Sequence, residues 1–318
     1  MEPAAESAFV RRLRAGAFVV TGELSPPRGG DARRFRQRLA EVAGRVDAVN
    51  ITDNPGASVH ASALAGAAIA LQEGVEPILQ MVCRDRNRLA LQSDLLGAWL
   101  LGVRAVLAMT GDPVSVGDHP AAKPVFDLDS FGLIRLIVRL RGGELDNGRS
   151  LPNPPRLLIG GAEAPFAGPP TATVDRLERK VEAGVEFVQT QFVWEAGRFA
   201  DWMDEVRRRG LHRRVAILPG VGPIRSVATA RWLARHLGQP VPEPLVARLA
   251  EAGTEAGAEV GAAIAAELVR ELRAIEGVAG VHLMPVGWPA GLLATIEAAG
   301  IFERHPARAA LDAPPPGG

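Results

Sequence analysis

Eight times along the 318 residues, a short apolar run is followed by a longer stretch of helical periodicity. The runs Ala17–Leu24, Val46–Thr52, Glu76–Val82 and Arg104–Thr110 read as the first four strands. Arg156–Gly160, Glu186–Gln191, Arg214–Leu218 and Val278–Met284 read as the last four. Between them lie helical patterns such as Phe199, Trp202, Met203 and Val206, which fall at i, i+3, i+4 and i+7 and form one apolar stripe. The strand runs are nearly continuous in apolar residues, as expected where other layers cover both faces of a parallel sheet. Eight βα units in series predict a closed (β/α)8 (TIM) barrel, an α/β fold of one domain. The long interval between strands seven and eight holds Pro240, Pro242 and Pro244 and then Val260, Ile264, Leu268 and Leu272 at four-residue spacing. It predicts an extra helical excursion. The barrel is expected to span 1–311, with a disordered Pro/Gly tail at 312–318.

Charge and cysteine usage narrow the function classes. Lys+Arg and Asp+Glu are both 36, so no net field gathers nucleic acid or an anionic membrane. No stretch approaches the ~18 consecutive apolar residues of a membrane span, and Met1–Arg14 does not read as a cleavable leader. Cys83 is the one cysteine, which excludes an internal disulfide and points to a reducing cytoplasm. The histidines at 60, 119, 212, 236, 282 and 305 have no ligand-like spacing, so they read as surface or capping groups, with no metal.

In a βα barrel the chemistry sits at the C-terminal ends of the strands. The polar residues there are Glu23, Asn50, Thr52, Gln80, Asp112, Glu163 and Gln191. Carboxylates on different strands, together with amides and hydroxyls, suit proton transfer and recognition of a heterocycle better than metal hydrolysis. Glu23 ends an apolar run and precedes Pro26, Pro27 and Arg28, a stiff turn that would hold it. Asp112 lies in T-G-D-P, which is also plain turn chemistry. Gln191 shares side-chain parity with Gln189, and both are expected to face the interior, where a structural role is as natural as a functional one. Lys180, in L-E-R-K-V-E-A-G, reads from its pattern as part of a solvated helix face. The P-G-V-G-P-I segment at 219–224 reads as a tight turn.

Several of these segments resemble one family in order and spacing. V-T-G-E-L-S-P-P-R (Val20–Arg28), T-G-D-P (Thr110–Pro113), the block Leu177–Phe192 and A-I-L-P-G-V (Ala216–Val221) are similar to the methylenetetrahydrofolate reductases over about 200 residues. The stretches around T-D-N-P-G, C-R-D-R-N-R and G-D-H-P-A-A-K-P-V-F-D-L-D-S resemble the branch also found fused to homocysteine methyltransferases and in acetogens. The resemblance implies a flavin, FAD or alternatively FMN, in the barrel mouth, with NADH or NADPH as co-substrate. It also implies a ping-pong cycle through flavin N5 that converts 5,10-methylenetetrahydrofolate to 5-methyltetrahydrofolate. Glu23 would then be the general acid on folate N10. Asp112 and Gln191 would hold the pterin and tune the flavin. Asn50 or Thr52, with Gln80, would line the isoalloxazine, with Thr110 and Gly111 beside Asp112 in the cofactor loop. Lys180 would meet the ribityl–phosphate arm. A homo-oligomer, with room for an accessory subunit, is the implied assembly.

The chain departs from the family at identifiable places. Ala164-Pro165 stands where the enterobacterial type has His-Pro, there is no tyrosine to touch a flavin, and the aromatic that stacks on folate is replaced near Pro223 and Ile224. A flavin-independent reductase and a folate-binding barrel without reductase activity therefore stay open as alternatives. An aldolase-like barrel would need a Schiff-base lysine near a strand end, and neither Lys123 nor Lys180 reads as one.

Overall fold

A computed structural model describes residues 6–238 and 240–301, apart from the side chains of His236 and Leu237. The expected tail at 312–318 lies outside the described residues, as does His305. Eight parallel strands close into a barrel in chain order: β1 (Val19–Leu24), β2 (Ala48–Ile51), β3 (Pro77–Val82), β4 (Ala105–Met109), β5 (Leu158–Glu163), β6 (Phe187–Phe192), β7 (Ala216–Val221) and β8 (Gly280–Leu283). Closure comes from β1 pairing with β8, with Thr21 opposite His282. The covering helices are α2 (Arg33–Val42), α3 (Ala63–Gln72), α4 (Arg88–Leu101), α5 (Ser130–Arg141), α6 (Pro170–Ala183), α7 (Ala196–Arg208), α8 (Val227–Leu237) and α10 (Ala290–Ala299). The excursion before β8 is α9 (Glu243–Arg273), interrupted at Gly253, where φ is 64°. No helix among the described residues is long and apolar enough to cross a membrane.

Where expected and observed bounds differ, the cause is local. The helix expected from Ser58 begins only at Ala63, because the Ser62 side chain caps it by accepting from the Ala65 amide. The fifth strand runs to Glu163 instead of ending at Gly160, so the Gly-Gly pair is strand and not turn. The seventh strand likewise runs through Pro219 and Gly220 to Val221, correcting the tight-turn reading of 219–224. A register shift in β6 between Gln189 and Phe192 interrupts the ladder there, which lets a proline sit in a central strand. Thr190 Oγ1 takes the Gly220 amide at 3.0 Å in place of a ladder bond.

An N-terminal helix absent from the sequence reading, α1 (Ala8–Arg14), closes the lower end of the barrel. Its Phe9 is fully buried among Val19, Ala48, Ile78, Leu158, Phe187 and Leu218. The Phe9 and Phe187 rings meet edge to face, 5.9 Å apart. Burying one such ring stabilises by about 1.5–3 kcal/mol. Phe187 can lie across the lumen only because position 160 has no side chain, since a Cβ there would stand 2.2 Å from the ring. The lower lumen is thus filled with apolar side chains, and any chemistry must sit above it.

Glu76 anchors this plug. Its half-buried carboxylate accepts from the Phe9 amide at 3.1 Å, and burial raises its pKa despite the bonds from Ser7 and Phe9. The folded protein therefore holds this proton more tightly than the unfolded chain. The associated stability is fully present below the unfolded carboxyl pKa and is lost as pH rises through the folded value. Glu76→Gln, which keeps an acceptor for Phe9, is expected to stabilise the protein at pH 7 and to lose that advantage near pH 4. Urea unfolding at the two pH values checks it.

Candidate active site at the carboxyl rim of the barrel

Above the apolar floor the lumen carries a polar layer in which each side chain serves the next. On β2 and β6, Asn50 and Gln189 form a reciprocal amide pair, with Asn50 Nδ2 donating at 2.6 Å and Gln189 Nε2 donating back at 2.9 Å. Gln189 Nε2 also donates to the Thr21 hydroxyl at 3.0 Å and faces His282 Nδ1 at 3.3 Å. Thr21 Oγ1 lies 3.0 Å from the same ring nitrogen. All four residues are buried. An amide left unpaired here would cost about 1–3 kcal/mol, so the layer is stable because it is closed.

Glu23 stands one step higher on β1, two residues beyond Thr21 and on the same face of the strand. Its side chain keeps 29% exposure, and His282 Nε2 lies 3.7 Å from Oε2. Gln80, buried on β3, donates to that oxygen at 2.7 Å. Gln191 continues the lumen face of β6 beyond Gln189 and is exposed. Asp112 is exposed in the loop after β4, on the same rim. The Asp112 charge helps raise the Arg84 pKa, and among the described residues neither the Asp112 carboxylate nor the Gln191 amide makes a side-chain hydrogen bond. Gly111 turns the chain toward Asp112 with φ +94°, and a Cβ there would stand 3.0 Å from Val82. Glycine is required on both counts.

The structure brings Glu23, Asp112 and Gln191 to one end of the barrel, but it puts other predicted contacts elsewhere. Asn50 is fully buried and engaged by Gln189. Thr52 is buried with its hydroxyl on Ser25 at 2.9 Å. Gln80 serves Glu23, and the Thr110 hydroxyl accepts from the Ser130 amide at 3.1 Å. These four support the rim from within. Lys180 is not on a solvated helix face. It is buried behind β5, donating to the Ala162 carbonyl and to Glu163 Oε2, the latter at 2.9 Å. Arg176 takes the other oxygen of Glu163, its Nε donating at 2.7 Å. Burial lowers the Lys180 pKa, and the Glu163 charge opposes that shift. Its ammonium is thus already matched by a carboxylate.

Two functional features escaped the sequence reading. His282 is a lumen residue on β8, contrary to the expectation that the histidines are surface or capping groups. Its position between Val281 and Leu283 in a buried strand was the available signal. Arg84, almost wholly buried, ties three loop ends together. It makes two 2.8 Å bonds to Asp85 and also donates to the Asn54 carbonyl at 3.2 Å and the Asp112 carbonyl at 3.3 Å. It therefore fixes the backbone that presents Asp112. The hydrogen bonds it donates to Asp85 raise the Arg84 pKa. Burial acts to raise that of Asp85, but the Arg84 and Asn54 bonds outweigh it and hold the carboxyl below its usual range. Beside it, the buried Asp53 accepts from the Val82 amide at 3.0 Å and from Arg86 at 2.7 and 3.1 Å, joining β2 to the end of β3. No group of three His, Cys, Asp or Glu among the described residues is arranged to hold a metal.

One half-exposed acid, a second carboxylate and an amide thus stand at the carboxyl rim of a closed parallel (β/α)8 barrel, the class of fold that the chain adopts. The family model for methylenetetrahydrofolate reductase matches residues 8–297, and the chain belongs to that family. Methylenetetrahydrofolate reductase 1 of Schizosaccharomyces pombe is 27% identical over 166 residues, covering 50% of this chain and 25% of that protein. A probable methylenetetrahydrofolate reductase (NADPH) of Caenorhabditis elegans is 29% identical over 166 residues, 51% of this chain and 22% of its own length. The matched region is thus only about a quarter of these longer relatives. Among solved structures, an uncharacterised Clostridium thermocellum protein that binds two copies of 5-methyl-5,6,7,8-tetrahydrofolic acid superposes with a TM-score of 0.62 at 14% identity, covering 92% of this chain and 97% of that one. At that identity the likeness speaks for the fold.

The Lys180 pairing yields a prediction. Lys180→Met leaves Glu163 buried with Arg176 as its remaining cation, so the loss is expected to be about 1.5–3 kcal/mol, the range for a hydrogen bond to a charged group. Denaturant unfolding should show that loss. Cofactor affinity, measured on the folded fraction, should change less than twofold, because this ammonium is spent within the protein.

Proposed function

We propose that the chain reduces 5,10-methylenetetrahydrofolate to 5-methyltetrahydrofolate with NAD(P)H, with Glu23 as the general acid. The observation that carries this reading is the Glu23 carboxyl itself, half exposed at the mouth of an otherwise buried lumen and held there by Gln80. Proton delivery from Glu23 to folate N10 lets the C–N10 bond break and leaves an N5 iminium. Hydride then reaches the methylene carbon. Asp112 and Gln191, with side chains exposed at the rim, suit the pterin edge, which presents donors and acceptors in alternation. Arg84 keeps the Asp112 loop in place while substrates exchange.

The fit to a flavin is partial. A heterocyclic ring suits the rim carboxylate and amide, and Gly111 lets backbone approach it closely. A flavin, when bound, supplies storage of the hydride between nicotinamide and folate. The phosphate arm has no partner in Lys180 as the structure holds it, because Glu163 already matches that charge. This one observation favours the flavin-independent variant of the same reaction, in which nicotinamide and folate meet directly at the rim. The lone Cys83, whose thiol is pushed up to about 12 mainly by burial, suits a reducing cytoplasm.

The absorption spectrum of the purified protein, with mass identification of any released cofactor, separates the two variants. In either, NAD(P)H oxidation must depend on methylenetetrahydrofolate. Glu23→Gln is expected to keep nicotinamide binding and to lose folate turnover by about 10²–10⁴-fold, the range for a general acid. If a flavin is present, its anaerobic bleaching by NADH should survive the substitution. Normal folate turnover by Glu23→Gln would remove the acid role, and folate binding without any NAD(P)H oxidation would leave only a folate-binding barrel.

A further inference from the structure

Two nitrogens from different strands face one oxygen of Glu23, one of them within hydrogen-bond distance. Gln80 Nε2 on β3 donates to Oε2 at 2.7 Å, and His282 Nε2 on β8 stands 3.7 Å from the same atom. No partner of Oε1 is recorded among the described residues. The His282 ring is oriented from behind. Its Nδ1 faces the Thr21 hydroxyl at 3.0 Å and the Gln189 amide nitrogen at 3.3 Å. Gln189 Nε2 is a donor only, and its orientation is set by the reciprocal pair with Asn50. Its two hydrogens serve Asn50 Oδ1, Thr21 Oγ1 and His282 Nδ1 between them, and where Nδ1 accepts one of them it is the bare nitrogen. The neutral imidazole then carries its proton on Nε2, the nitrogen turned toward Glu23.

We propose that Gln80 and His282 are positioning residues that hold Oε2 of Glu23, so that Oε1 alone carries and delivers the proton. This rests on the reading of Glu23 as the acid. In the transfer the Oε1–H bond breaks and an N–H bond forms on the substrate. The electron pair stays on the carboxylate, whose charge is met at Oε2 by the Gln80 N–H, with the His282 ring 3.7 Å away. The Asn50–Gln189–Thr21 layer thereby gains a second purpose, since it fixes the ring nitrogen that supports the acid. Among the described residues, His282 is the one titratable group recorded against Glu23, and His282 itself faces Thr21, Gln189 and Glu23.

N–H groups aimed at a carboxylate favour its ionised form, so the proposal predicts that removing such a group moves the Glu23 carboxyl signal's midpoint to higher pH. The test follows the carboxyl resonance of Glu23 in the full-length protein, with ¹³C-labelled glutamate and assignment by difference against Glu23→Gln. Gln80→Met keeps the shape of the side chain and removes its donor. His282→Asn keeps a polar group for Thr21 and Gln189 and removes the nitrogen facing Glu23, whereas His282→Gln restores an N–H near the Nε2 position. The midpoint is expected to rise by about one unit in Gln80→Met and about half a unit in His282→Asn, and to return in His282→Gln. In turnover, the first two variants should lose kcat at least tenfold with KM for folate within twofold. A Glu23 titration unmoved or lowered in both would overturn the proposal. The resonance is read without turnover, so absence of folate reduction in the parent protein would sink the functional reading and leave this arrangement standing or falling on its own result.

Discussion

Polar groups inside this barrel have to satisfy one another. The lower lumen is sealed by Phe9 and filled with apolar side chains, so the layer above it sits where an unmet donor or acceptor is expensive. The reciprocal pairing of Asn50 with Gln189 meets that demand across the barrel, and the remaining Gln189 donor capacity is directed to Thr21 and His282. Remove this pair and the strands lose a cross-lumen tie, while the support behind Glu23 loses its fixed orientation. Stability and chemistry depend here on the same hydrogen bonds.

The site is therefore graded along the barrel axis. Apolar packing forms the floor, a closed amide–hydroxyl–imidazole layer lies above it, and a half-exposed acid with exposed rim groups lies above that. Each level limits the one below the mouth to fewer alternative conformations. The loops are treated the same way. Arg84 gathers the Asn54, Asp85 and Asp112 ends, and Asp53 ties the Val82 amide to Arg86, so the rim is held by charge-assisted bonds among loops that the helices alone would leave adjustable.

Lys180 shows how residue type can mislead. Among 36 basic side chains it is one of two lysines, and its place in the matching family block marks it for a ligand's phosphate. The fold instead buries it against Glu163, where its charge is matched with that of Arg176 nearby. What a helix pattern shows as an ordinary polar position is a buried ion pair, because β5 continues two residues beyond the Gly-Gly step and carries Glu163 to meet it. A strand end misplaced by three residues changes which helix residue becomes its partner.

By itself, the order of residues was enough to show eight βα units, a helical excursion after Pro240–Pro244 and the rim positions of Glu23, Asp112 and Gln191. Those features depend on local periodicity and on the rule that places barrel chemistry at strand carboxyl ends. Only the tertiary structure decided that Gln80 meets Glu23 across 57 residues, that Asn50 meets Gln189 across 139, and that His282 stands beside the first strand. Side-chain parity states which face a residue uses, but not which residue lies opposite. That information arises when the cylinder closes and its register is set, since closure makes the first and last strands neighbours.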